Sequence, residues 1–107
     1  MPRQSISEHP PSLAAPLKRA IRDVIWFEPP EEVIRNPVRL LCYAMQYTSE
    51  PSFTVLRQHF GDDAFRDALR NAPPGILDQK SWGYFHDYFR PYGAQPVPSL
   101  PQRKFRE

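Results

Sequence analysis

Histidine, cysteine and paired carboxylates are the side chains of this sequence that could perform catalysis or bind a metal. The three histidines are far apart, and none pairs with another histidine or with cysteine at metal-ligand spacing. The single cysteine, Cys42, falls on the apolar stripe of a predicted helix and has no identifiable base to activate it. We therefore expect a buried structural thiol, no metal and no cofactor.

Two carboxylate pairs, Glu31-Glu32 and Asp62-Asp63, are candidates for general acid–base chemistry. Both lie at predicted helix starts, where capping and the helix dipole already favour acidic side chains. The sequence contains neither a GxGxxG nor a GxxxxGK[ST] motif, and its four glycines do not provide a phosphate-binding loop. These absences predict that the protein is not an enzyme.

Residues 81–89, SWGYFHDYF, are the most distinctive segment, with five aromatic side chains in eight positions. In a helix, Trp82, Phe85 and Phe89 share one face, and Tyr84 and Tyr88 form a second ridge at i and i+4. One interpretation is a broad core face. The other is a protein-binding surface, because tyrosine and tryptophan are enriched at interface centres. The predicted interface residues are Trp26, Phe27, Tyr84, Tyr88 and Arg90.

Short helices must position these side chains, because prolines interrupt the chain and no alternating β-branched run predicts a strand. The predicted helices are 12–25, 30–34, 37–47, 51–60, 63–71 and 79–90. Ser12, Thr48 or Ser49, Asp62 and Asp78 are expected to cap four of them. We expect an all-α protein, a compact single domain of five or six short helices with flexible proline-rich ends.

The helix predicted over 37–47 is the clearest, because Asn36 is a good cap and proline is favoured at a first helical position. Its apolar residues cover more than half of its circumference, which is typical of a central core helix. They are Val38, Leu41, Cys42 and Met45, widened by Leu40 and Ala44, with Tyr47 as a further candidate.

The two ends differ from the predicted helical domain, which spans 12–90. Residues 1–11 lack periodicity and predict a flexible arm. Residues 91–107, PYGAQPVPSLPQRKFRE, predict a proline-rich basic tail that favours polyproline-like conformations. Two interpretations of this tail stay open: a solvated terminus, or a segment that becomes ordered on an acidic partner surface.

Charge is divided between the ends and the middle of the chain. The net charge is +2, but residues 26–90 carry seven Lys and Arg against nine Asp and Glu. Residues 52–70 could form a helix-turn-helix, yet Asp62 and Asp67 occupy places that are apolar in that motif. The second helix gains no net attraction to phosphate, so an ordinary helical hairpin is favoured.

The sequence contains neither a leader nor an apolar run near the ~20 residues that cross a bilayer, so no membrane association is expected. With one cysteine, a reducing cytoplasm fits best.

The middle of the chain, about residues 26–89, resembles a group of small helical bacterial proteins. The resemblance lies in the aromatic-Pro start, in APPGI over 72–76 and in the Ser81-Trp82-x-Tyr84 helix; Thr48 stands where the common form has glycine. Such proteins are similar to those encoded beside nucleotidyltransferase-like toxins of abortive-infection systems. The resemblance implies an antitoxin that contacts its toxin directly.

The sequence thus predicts a protein-binding module. The alternative is a small nucleic-acid-binding regulator that uses its basic ends, and an enzyme with an unrecognised site is the third class. The charge of residues 26–90 favours the first class over the second.

Overall fold

A computed structural model describes residues 13–102 of the chain. The arm predicted for 1–11, the expected cap Ser12 and residues 103–107 of the tail lie outside this range. Within it the chain forms six helices and no strand, which confirms the all-α prediction. The helices are α1 (Ala15–Val24), α2 (Pro30–Val33), α3 (Pro37–Tyr47), α4 (Ser52–Phe60), α5 (Asp62–Arg70) and α6 (Gln79–Phe89).

Two helices begin as the sequence predicts. At α3, the Asn36 side chain accepts a hydrogen bond from the Arg39 backbone N–H at 3.2 Å, and proline occupies the first helical position. At α6, the Asp78 carboxylate accepts from the Ser81 backbone N–H at 2.8 Å. Each side chain partners a backbone donor that the first turn leaves without an intrahelical acceptor.

The starts of α4 and α5 differ from the prediction. Neither Thr48 nor Ser49 caps α4; the Glu50 carboxylate accepts from the Thr54 backbone N–H instead. Asp62 is the first residue of α5 and not its cap. Gly61, with φ of 86°, is both the residue that follows α4 and the residue that precedes α5. The turn therefore leaves no other position for a capping side chain.

The central helix is α3, which packs against α1, α4, α5 and α6. Most of its stripe is buried as predicted, including Leu40, Leu41 and Cys42, whereas Val38 is only partly buried. Burying one large apolar side chain contributes about 1.5–3 kcal/mol to the free energy of unfolding. Because α3 buries several such side chains, it makes a large contribution to the core. Tyr47 is the exception: its ring is 66% exposed, and it stacks on Tyr43 at a centroid distance of 5.8 Å.

The described part of the predicted tail, residues 91–102, is outside the helices but packs against α6. Pro91 is buried, and Tyr92 stacks on His86 with 7° between the ring planes. Farther along, the Trp82 indole Nε1 donates to the Pro98 carbonyl oxygen at 2.8 Å. Leu100 packs against the core. These contacts extend the folded unit beyond the end of α6.

Candidate protein-binding surface

Tyr84 and Tyr88 form an exposed ridge along α6, which we call the tyrosine ridge. The side chains are 60% and 48% exposed, and their rings are stacked with centroids 6.0 Å apart and planes 9° apart. Their spacing of four residues places them on successive turns of the same helix face. This face is exposed and is not part of the core, and its role as a protein-binding surface stays a prediction.

Arg57 of α4 fixes the position of Tyr88. Its Nη1 donates to the tyrosine hydroxyl at 2.7 Å, and its guanidinium carbon lies 5.2 Å from the ring centroid. A guanidinium over an aromatic ring is attracted by about 0.5–1 kcal/mol at an exposed site. These contacts therefore join the tyrosine ridge on α6 to α4.

Asp62 in turn orients Arg57 through a bidentate ion pair. Arg57 Nε and Nη2 donate to the two carboxylate oxygens at 2.9 and 3.0 Å. The hydrogen bonds to the guanidinium hold the pKa of the Asp62 carboxyl below its usual value, and they raise the pKa of Arg57. Both groups are charged near neutral pH and offset each other, so the ridge borders a charge-balanced pair.

A groove of about 290 Å³ runs beside the tyrosine ridge, between α4 and α6. Its floor is aromatic, with the Phe53 and Phe85 rings 5.7 Å apart. The Thr48 hydroxyl at its edge is buried and has no hydrogen-bond partner among the described residues. The groove thus combines an aromatic floor with polar residues along its edge. Its remaining lining residues are Ser49, Glu50, Arg57, Tyr84 and Tyr88.

Trp26 and Phe27 form a separate exposed pair just after α1. They are 78% and 53% exposed, and their rings meet edge to face at 5.5 Å. In the described part of the chain, no ring contact joins this pair to the tyrosine ridge. The structure therefore exposes the predicted aromatic residues but brings them together in two patches and not in one.

Further residues that were not predicted to belong to an interface lie near the Trp26–Phe27 pair along the chain. Glu28, next to Phe27, accepts two hydrogen bonds from Arg39 at 2.8 and 2.9 Å. The Arg39 guanidinium lies 5.3 Å from the centroid of Tyr43, which stacks on Tyr47. The i, i+4 spacing of these tyrosines is the same signal that identified the tyrosine ridge, and it was available in the sequence.

Arg90, the fifth predicted interface residue, is exposed and directly follows α6. Its backbone is left-handed, with φ of 51°, and its N–H donates to the His86 carbonyl oxygen at 3.0 Å. Its own carbonyl accepts from Gly93 at 3.1 Å. The observed role of Arg90 is to turn the chain toward the tail, and its place in an interface stays a prediction.

The groups with catalytic potential are dispersed or buried. Within 13–102 no three His, Cys, Asp or Glu side chains are grouped as metal ligands would be. Burial raises the pKa of the Cys42 thiol to about 12, and its sulfur donates to the Ala68 carbonyl oxygen. This thiol is neutral and inaccessible, as the sequence predicts for a structural cysteine.

The charge of the described part of the chain is balanced. Residues 13–102 contain ten Lys and Arg and ten Asp and Glu, and five ion pairs join members of the two sets. No helix in this range combines the length and the apolar character needed to cross a bilayer.

Comparisons with protein-family models, with curated proteins and with solved structures gave no match for this chain. The candidate surface therefore rests on its own geometry.

Proposed function

We propose that this protein is a protein-binding module and that the tyrosine ridge is the centre of its interface. The observation that supports this is the ridge itself: two large aromatic side chains, about half exposed, stacked and held by Arg57. Tyrosine and arginine dominate the binding energy of many interfaces, because they bury much area and keep polar groups for hydrogen bonds.

The chemistry of the groove supports a protein ligand over a nucleic acid. Arg57 is already paired with Asp62, and Glu50 at the groove edge adds a negative charge. Phosphate binding requires unpaired cations along the surface. Binding of an apolar or amphipathic protein segment has no such requirement.

We further propose that the partner is a nucleotidyltransferase-like toxin and that the protein acts as its antitoxin in the bacterial cytoplasm, by direct contact. This rests on the resemblance of residues 26–89 to antitoxin-like proteins encoded beside such toxins. The net negative charge of residues 26–90 would favour approach to the basic nucleotide-binding cleft expected of such an enzyme.

Co-expression with the neighbouring gene tests this proposal. The tagged protein should co-purify with a nucleotidyltransferase-like protein in a fixed stoichiometry and remove its toxicity. Elution of the tagged protein alone, with the toxicity of the neighbour unchanged, would contradict the antitoxin proposal. The nucleic-acid alternative, which depends on the basic ends, predicts instead a gel shift that weakens steeply with salt.

A further inference from the structure

The proline-rich segment 96–101, PVPSLP, lies against the side of α6 that carries Trp82. Positions 82 and 84 are about 200° apart around a helix, so this side is opposite the tyrosine ridge. Trp82 is only 2% exposed, whereas Trp26 is 78% exposed. A large aromatic side chain on this side is therefore covered.

Two contacts hold the segment in place. The Trp82 indole N–H donates to the Pro98 carbonyl oxygen at 2.8 Å, and the Leu100 side chain packs against the core. Between α6 and the segment, Tyr92 stacks on His86 at 5.9 Å. The prolines themselves stay largely at the surface, so the segment is held by one carbonyl and one aliphatic side chain.

The hydrogen bond from an indole N–H to a carbonyl of an extended proline-rich chain is one element of the way proteins recognise polyproline ligands. An extended proline-rich chain makes no internal hydrogen bonds, and proline has no N–H, so its carbonyl oxygens are free to accept from outside. Recognition grooves are lined by aromatic side chains. Trp82 provides both the aromatic surface and the donor.

The segment does not fill the surface on which it lies. An open hollow of about 590 Å³, lined in part by Gly83 and Asp87, flanks it on one side, and one of about 560 Å³ flanks it near Tyr47 and Ile76. A Cβ atom built on Gly83 would meet nothing within 4 Å. A second extended chain could thus contact the groove before the bound segment leaves.

We propose that the groove around Trp82 is a binding site for a proline-rich extended segment of a partner protein, of the P-x-P-x-x-P kind. Residues 96–101 occupy it in cis as a competing ligand. This site is independent of the tyrosine ridge and of the antitoxin proposal, because it lies on the other side of α6.

A partner segment is favoured over the same segment from a second copy. Two backbone hydrogen bonds, Gly93 to Arg90 and Gln95 to Tyr92, each 3.1 Å long, close the turns between α6 and the segment. Neither bond involves residues 96–101, so the segment can leave the groove while the turns stay closed. The segment of a second copy would remain attached to its own α6 through these turns and could reach the groove only if the two molecules packed closely, whereas a partner segment has no such constraint.

The test uses the full chain with Trp26→Phe, so that Trp82 is the only tryptophan, with and without Leu100→Ser to weaken the cis contact. Trp82 emission should shift to longer wavelength in the Leu100→Ser variant. A fluorescein-labelled PVPSLPQ peptide should bind this variant and reverse the shift. Its dissociation constant should be about tenfold or more higher for the chain that keeps Leu100, because the cis segment competes at millimolar effective concentration. The peptide AVASLAQ is the matched control. It keeps the leucine and the backbone carbonyl but lacks the prolines that hold the chain extended, so it should bind more weakly to both chains.

The decisive case is a Leu100→Ser variant with native helix content and an exposed Trp82. If the peptide then changes neither the anisotropy of its own label nor the Trp82 emission, the proposal is overturned. If that variant loses its fold or keeps Trp82 buried, a chain with a protease site between Ala94 and Gln95 decides. After cleavage, exchange of the labelled peptide into the groove supports the site, and absence of exchange refutes it. A wild-type dimer that the peptide dissociates would instead assign the groove to a second copy.

Discussion

Single residues show where local sequence rules succeed and where they stop. The spacing of Tyr84 and Tyr88 predicted that the two side chains share a ridge, but it left open whether that ridge belongs to a broad core face or to an exposed surface. Their partner Arg57 was not predictable, because it is 31 residues away from Tyr88 and meets it only through the packing of α4 against α6. The sequence assigned Asp62 to a helix cap by its position alone. Its pairing with Arg57 depends on the turn at Gly61, which joins α4 to α5.

His86 is the residue with the clearest pH dependence. Its Nδ1 faces the Trp82 carbonyl oxygen at 2.8 Å and so donates, which leaves Nε2 buried with no hydrogen-bond partner within residues 13–102. Burial lowers the pKa of His86, while the bond to Trp82 and the nearby Asp87 offset this in part. Protonation would put a charged, unpartnered N–H between α6 and Tyr92.

The free energy of unfolding should therefore fall as pH drops below about 6.5, the ordinary histidine pKa, toward the lowered pKa of the folded state. In this range the unfolded chain binds a proton that the folded chain does not. Urea unfolding followed by far-UV circular dichroism between pH 7.5 and 5 measures the effect. His86→Phe should flatten the profile, and an identical slope in both proteins would contradict this account.

At the scale of the element, α6 has a core-facing side and an exposed side. Trp82, Phe85 and Phe89 belong to the first side, and Tyr84 and Tyr88 belong to the second, as their spacing predicts. The sequence could not predict that Trp82 also donates to the Pro98 carbonyl oxygen. Periodicity within a helix does not show where residues beyond the helix return.

Gly83 in the interior of α6 gives a prediction for this helix. Glycine is about 0.8–1 kcal/mol less favourable than alanine in a helix interior, and a Cβ at this position would meet nothing within 4 Å. Gly83→Ala should raise the free energy of unfolding by about 0.5–1 kcal/mol in urea titrations. A loss of stability would show that the position is packed more closely than the structure indicates.

Gly61→Ala is the matched comparison. It should lower stability, because Gly61 has φ of 86° at the turn between α4 and α5, where residues with a Cβ are strained.

At the scale of the whole molecule, hydrophobic patterning and proline placement were sufficient to predict six helices around α3. The charge balance of residues 26–90 favours a protein-binding module over a nucleic-acid-binding one, and this stays a prediction. The arrangement of the exposed aromatic residues in two patches was beyond the sequence, since it depends on how the helices pack. We propose that the tyrosine ridge binds the partner protein and that the packing of α6 against the other helices keeps the ridge exposed.

The most direct test of this proposal is the double variant Tyr84→Ala, Tyr88→Ala in the co-purification with the neighbouring gene product. Helix content by far-UV circular dichroism should stay near wild type, and stability should fall by only about 1 kcal/mol from the lost Arg57 contacts. Partner capture should drop at least tenfold. Tyr47→Ala, which removes a tyrosine of similar exposure outside the groove, should leave capture unchanged. Unfolding of the double variant would show that the tyrosines belong to the core, and full capture by a folded double variant would show that the partner binds elsewhere.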